Sequence, residues 1–117
     1  MMVRTLLCAL TLTLAAFAAD ITGKWDFTVE TSAGSGSPVF ELTQKGEDVS
    51  GTYTGALGQA KVAGTVKGDA VVLKFTVDYG GETVNVEYQG KLESAAKIKG
   101  TVKLGTFGEG TFTGAKR

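Results

Sequence analysis

The residue types that usually carry chemistry are scarce in this sequence. It has no histidine, which removes the commonest general base and the commonest metal ligand. Its one cysteine, Cys8, lies in an apolar N-terminal run. Residues 20–117 therefore hold no thiol to serve as nucleophile, ligand or disulfide partner. A catalytic centre would need Ser or Thr activated by Lys or a carboxylate. The serines cluster where turns are expected, notably Ser32, Ser35 and Ser37, with no Gly-x-Ser-x-Gly elbow among them. The carboxylates interleave with lysines as on a solvated face, and Glu47-Asp48 reads as a turn. Calcium-loop spacing, Cys/His clusters and phosphate loops are all missing from the pattern. The expectation is a protein that is not an enzyme and uses no metal or cofactor.

What remains is recognition by apolar surface with a few hydrogen-bonding ends. Tyr53, Tyr88 and Gln44 are the residues of that kind on the apolar sides of their segments. Each could hold a ligand or could bond backbone near a strand end. Phe75, on the same side, and the turn residues Leu57, Tyr79 and Phe107 complete the candidate ligand contacts.

These residues are positioned by a period of two. From Trp25 onward, apolar residues and glycines alternate with Lys, Glu, Thr and Asp in eight segments. Trp25-Phe27-Val29, Phe40-Leu42, Val71-Leu73-Phe75-Val77 and Val84-Val86-Tyr88 are the clearest. Such alternation marks strands with one dry and one wet face. Turn residues separate every pair, and Pro38 falls at the start of a strand, where it is tolerated. Short turns join antiparallel neighbours. Eight such strands bury their dry face and lose both edges by curling shut. The predicted fold is an all-β, eight-stranded antiparallel meander barrel. Glycines recur on the apolar side in Gly51-Thr52-Tyr53, Gly64-Thr65-Val66, Gly100-Thr101-Val102 and Gly110-Thr111-Phe112, which would let narrow strands bend and leave room inside. A transmembrane barrel would place Lys61, Lys67, Lys74, Lys97, Lys99 and Lys103 in a lumen too narrow to solvate them, so the polar face is expected to meet water.

Before the barrel domain, residues 20–117, come residues 1–19, which read as a cleavable signal peptide. Arg4 precedes the apolar run Leu6 to Phe17, and Ala16-Phe17-Ala18 fits a cleavage site, with Ala19 an equally acceptable last residue. The run is short of the roughly 20 apolar residues of a membrane span. Export to the periplasm or medium is implied. Twelve Lys plus Arg balance twelve Asp plus Glu without clustering, so neither nucleic acid nor an anionic membrane is an expected partner.

Gly23-Lys24-Trp25 opening the first strand and Lys116-Arg117 closing the last together resemble the calycin superfamily of lipocalins, fatty-acid-binding proteins and avidins. Ile21-Thr22-Gly23-Lys24-Trp25 and Val49-Ser50-Gly51-Thr52-Tyr53 look most like the avidin pattern. The resemblance implies that Trp25 plugs one end of the barrel and that a basic side chain, Arg117, lies across it. The opposite end carries the turns with Leu57, Tyr79 and Phe107 and the segment Thr31–Pro38, expected to be a long flexible loop. Those turns either gate a mouth, with Thr31–Pro38 as a lid, or fold inward and cork the barrel. The leading expectation is an exported barrel binding a small apolar or amphipathic ligand in its interior. The alternatives are a protein-interaction barrel, since small secreted metalloprotease inhibitors also resemble this pattern, or a structural envelope protein with a filled core.

Overall fold

The computed structural model describes residues 20–32 and 34–117; the expected signal segment, residues 1–19, lies outside them. Alternating burial runs through every expected strand. In β1 (Gly23–Thr31), Trp25, Phe27 and Val29 are buried and the residues between them are exposed. Next come β2 (Gly34–Gly36), β3 (Val39–Lys45), β4 (Asp48–Gly55) and β5 (Gly58–Lys67). They are followed by β6 (Ala70–Tyr79), β7 (Glu82–Ser94), β8 (Lys97–Leu104) and β9 (Glu109–Lys116), with a 3-10 turn at Gly105–Phe107 before the last.

β1 pairs antiparallel with both β2 and β3, each strand from β3 onward pairs antiparallel with the next, and β1 also pairs with β9 from Trp25↔Lys116 to Thr31↔Gly110. That pairing closes the sheet. The apolar face turns inward as one core from Ile21 to Phe112, while Lys, Glu and Thr side chains cover the wall.

Nine strand segments make eight staves, because β2 and β3 are one stave. Asp26↔Val39 and Val29↔Gly36 keep the same register along β1. The break falls at Ser37-Pro38, where proline has no N–H to give. The ladder is bridged there by Phe27 N–H donating to the Pro38 carbonyl at 3.0 Å. Half of the expected loop Thr31–Pro38 is therefore strand, Thr31 and Gly34–Gly36 paired as a continuation of the barrel wall. A sequence of Gly and Ser gave no alternation from which to recognise it.

The glycines do more than bend strands. A Cβ on Gly64 would overlap the Val72 carbonyl oxygen of β6. At Gly114 the missing side chain is replaced by a ring: an added Cβ would sit 2.6 Å from Phe27 Cε1. The space that inward glycines open is thus partly filled by aromatic rings, here one from the paired neighbouring strand. Phe27 stacks on Phe112 with centroids 5.0 Å apart and planes 7° from parallel, and Tyr53 stacks on Phe75 at 4.4 Å. Pairs of this kind add roughly 0.5–1.5 kcal/mol each beyond the area they bury.

Candidate functional site

The two ends of the barrel differ. The turns Gly46-Glu47, Gly68-Asp69 and Ala95-Ala96 share an end with the start of β1 and the end of β9. There Trp25 is fully buried, and its indole Nε1 donates to the Ile21 carbonyl at 2.9 Å. Ile21, equally buried, lies in the segment just ahead of β1. Gln44 ties that segment down. Its Oε1 accepts from Ile21 N at 2.9 Å, its Nε2 donates to the Gly46 carbonyl at 2.9 Å, and its own N–H donates to Thr22 Oγ1 at 3.0 Å. Both polar atoms that made the Gln44 side chain a ligand candidate thus bond backbone at the closed end.

The basic residue beside the plug is Lys116, not Arg117. Lys116 stands directly opposite Trp25 in the β1–β9 ladder, so both side chains leave the sheet on the same face. Its stem passes over Gly23, where an added Cβ would come within 2.9 Å of Cε. Its ammonium donates to the Asp20 carbonyl at 3.3 Å. Arg117, one residue on, points outward and grips Asp26 with two bonds of 2.9 and 2.8 Å. That guanidinium holds the Asp26 carboxyl below the usual carboxylate range. The alternation of a strand decides the exchange: adjacent residues cannot share a face.

At the opposite end a pocket of about 200 Å³ opens between the β1–β2 hairpin and the Ala56-Leu57 turn. Val29, Pro38, Leu57 and Leu104 give it apolar walls, Gly34, Ser35 and Gly36 form the hairpin side, and Tyr53 and Tyr88 reach it from within the core. No charged residue lines it. Phe75 lies behind it, stacked on Tyr53 and, at 6.1 Å, on Tyr88. Of the candidate ligand contacts, Tyr53, Tyr88 and Leu57 thus meet at one cavity, and Phe75 backs it.

The two phenols are held differently. The Tyr53 hydroxyl accepts a long bond of 3.4 Å from Leu57 N–H. The Tyr88 side chain is 3 % exposed and is packed by Phe27, Phe40, Phe75 and Phe112. Among the described residues its hydroxyl has no hydrogen-bond partner. Burial pushes both phenols above the ordinary tyrosine range, and at Tyr88 the neighbouring Tyr53 adds to the rise. Both are therefore neutral O–H groups at physiological pH.

Tyr79 and Phe107 do neither of the things expected of them. They are 51 % and 41 % exposed and meet edge to face, with centroids 5.8 Å apart, outside the pocket. The reason is the length of the β6–β7 ribbon. Its ladder runs out to Tyr79↔Glu82, while β5 leaves β6 after Ala63↔Lys74 and β8 joins β7 only at Val86↔Leu104. The ribbon tip stands clear of the barrel and carries Tyr79 with it. A larger open depression of about 530 Å³ lies on the outer wall below it, lined by the solvated Lys61, Lys74, Lys103 and Glu87.

Gly34, Ser35, Gly36 and Pro38 belong to the segment expected as a lid and line the pocket as wall, whereas Ile21 as part of the plug and Val29 as pocket wall carry no signal in the sequence that marks those roles. Ile21 precedes the first strand and has no periodic neighbours to mark it.

Among the described residues no three His, Cys, Asp or Glu gather as a metal site, and no helix is long and apolar enough to cross a membrane. No protein-family model matches the chain, and no curated protein matches it. Solved structures do. A redesigned β-barrel, mFAP1, bound to DFHBI, superposes with a TM-score of 0.63 at 16 % identity over 89 % of this chain and 98 % of that one. A second, mFAP0, also bound to DFHBI, gives 0.58 at 18 % identity over 83 % and 98 %. At these identities the likeness is one of fold: this chain is similar in architecture to small closed antiparallel barrels that have been seen with a small molecule bound.

Proposed function

We propose that this protein is an exported, non-catalytic barrel that takes a small, largely apolar molecule into the pocket at the end opposite Trp25. The observation that carries the reading is the asymmetry of the interior. One end is sealed by Trp25 and Ile21, the middle is filled with stacked rings, and the other end keeps an uncharged cavity of about 200 Å³. That is below the roughly 300–1,000 Å³ of pockets for drug-sized ligands, so the occupant is compact, on the scale of a substituted single ring. The dye-bound barrels of the same architecture support the reading by analogy of fold. Export rests on residues 1–19 as a signal, and the absence of catalysis on the missing histidine and thiol.

Ethylbenzene is a suitable first probe. Titrating it into residues 20–117 should shift the NMR signals of Tyr53, Tyr88 and Leu57. Gly36 faces Val29 across the hairpin and has nothing within 4 Å of an added Cβ, so Gly36→Phe should fill the cavity and abolish those shifts. Small aromatic probes leaving the pocket signals unmoved would refute the reading and favour the filled structural barrel.

The exposed Tyr79–Phe107 pair favours a second reading, a protein-contact patch formed by the β6–β7 ribbon tip and the β8–β9 turn. A partner lost on changing both residues to alanine, with probe binding intact, would separate the two.

A further inference from the structure

We infer that the pocket selects an uncharged ligand carrying a hydrogen-bond-accepting oxygen, such as a ketone, which the hydroxyls of Tyr88 and Tyr53 hold. The inference rests on the proposed ligand pocket and adds the chemical class of its occupant. Its basis is a mismatch between burial and bonding. Tyr88 is almost completely buried, yet its hydroxyl bonds to nothing among the described residues. Buried polar groups are paired in the great majority of cases, and an unpaired one calls for an explanation. The ring is hemmed by four other aromatic rings, none of which can accept a conventional hydrogen bond. Tyr88 lines the cavity, so an occupant of that cavity is placed to supply the partner.

Tyr53 offers the same service. Its oxygen is used as an acceptor by Leu57 N–H, which leaves its proton to donate. The inner part of the pocket thus presents two phenol O–H donors, while Thr31 and Ser35 are the other polar side chains of its uncharged lining. A carbonyl oxygen, with two lone pairs, can accept from both. A pure hydrocarbon would leave them unpaired. A carboxylate would bring a charge into a lining without Lys or Arg, and a buried charge without a partner is strongly disfavoured. Because the selection comes from unpaired donors, it discriminates by what a wrong ligand leaves unsatisfied.

Acetophenone, ethylbenzene and benzoate share a ring and nearly a shape, and they differ in the group presented to the phenols. Dissociation constants for the three are measured by NMR titration on residues 20–117, for the parent chain, Tyr88→Phe and Tyr53→Phe. One hydrogen bond is worth about 1 kcal/mol net, or about a fivefold change in affinity. The ratio of acetophenone to ethylbenzene affinity should fall about fivefold in Tyr88→Phe and by a similar or smaller factor in Tyr53→Phe. Benzoate should bind at least tenfold more weakly than acetophenone. An unchanged ratio in both variants overturns the inference while ethylbenzene binding keeps the pocket reading. Benzoate binding as tightly as acetophenone also overturns it. If none of the three binds, the pocket reading itself fails.

Discussion

Replacing Tyr88 with phenylalanine should stabilise the unliganded protein, although it deletes a polar atom from the centre of the fold. The hydroxyl is the only part removed. The ring keeps its contacts with Phe27, Phe40, Phe75 and Phe112 at centroid distances of 5.6, 5.2, 6.1 and 5.0 Å. No hydrogen bond to the described residues is lost. Burying a hydroxyl without a partner costs roughly 1–3 kcal/mol in protein substitution data, and the hydroxyl borders a cavity that water can share, so the lower figure applies. The expected gain is about 1 kcal/mol, seen as a rise in Tm of roughly 4–8 °C for a domain of this size. Urea denaturation of residues 20–117 should give a higher midpoint with an unchanged slope, because the surface exposed on unfolding is nearly the same. Tyr53→Phe is the control. It gives up the 3.4 Å bond from Leu57, so it should gain less than Tyr88→Phe or lose slightly. A loss of about 1 kcal/mol or more in Tyr88→Phe would refute the reasoning, since it would mean that the hydroxyl is paired in the native state.

Trp25→Ala should cost about 3–5 kcal/mol as a large-to-small change at a fully buried site, and a near-parental urea midpoint would show that the ring is not structural. Gly64→Ala should lower stability by roughly 1–3 kcal/mol as an overpacking change, because its methyl group meets the Val72 backbone; a neutral result in thermal denaturation would contradict that close approach. Stability should fall as pH rises above about 10. Unfolded tyrosine loses its proton there, while burial keeps Tyr88 protonated in the fold, so the native state binds more protons. The slope from Tyr88 is about 1.4 kcal/mol per pH unit, and it should vanish from the alkaline unfolding curve of Tyr88→Phe.

The alternation of Trp25, Phe27 and Val29 with charged neighbours was sufficient to reveal a half-buried strand, and seven more segments of the same kind implied closure. Period two is a local property of the extended chain, readable wherever one face is dry. The same local rule placed Tyr53, Phe75 and Tyr88 on the inside. Three outcomes needed the tertiary structure. The Gly/Ser hairpin at Thr31–Pro38 has too few side chains to show alternation, and its pairing with β1 is what makes it a strand. Gln44 faces the interior as its position implies, but only the height at which it sits sends it to the backbone of the closed end and Tyr88 to the cavity. Lys116 and Arg117 are equally basic, and the register of β9 against β1 decides which of them stands beside Trp25. Strand pattern is written in single residues, whereas height, register and the fate of each buried hydrogen-bonding group depend on partners tens of residues away. Those partners meet only when the barrel closes.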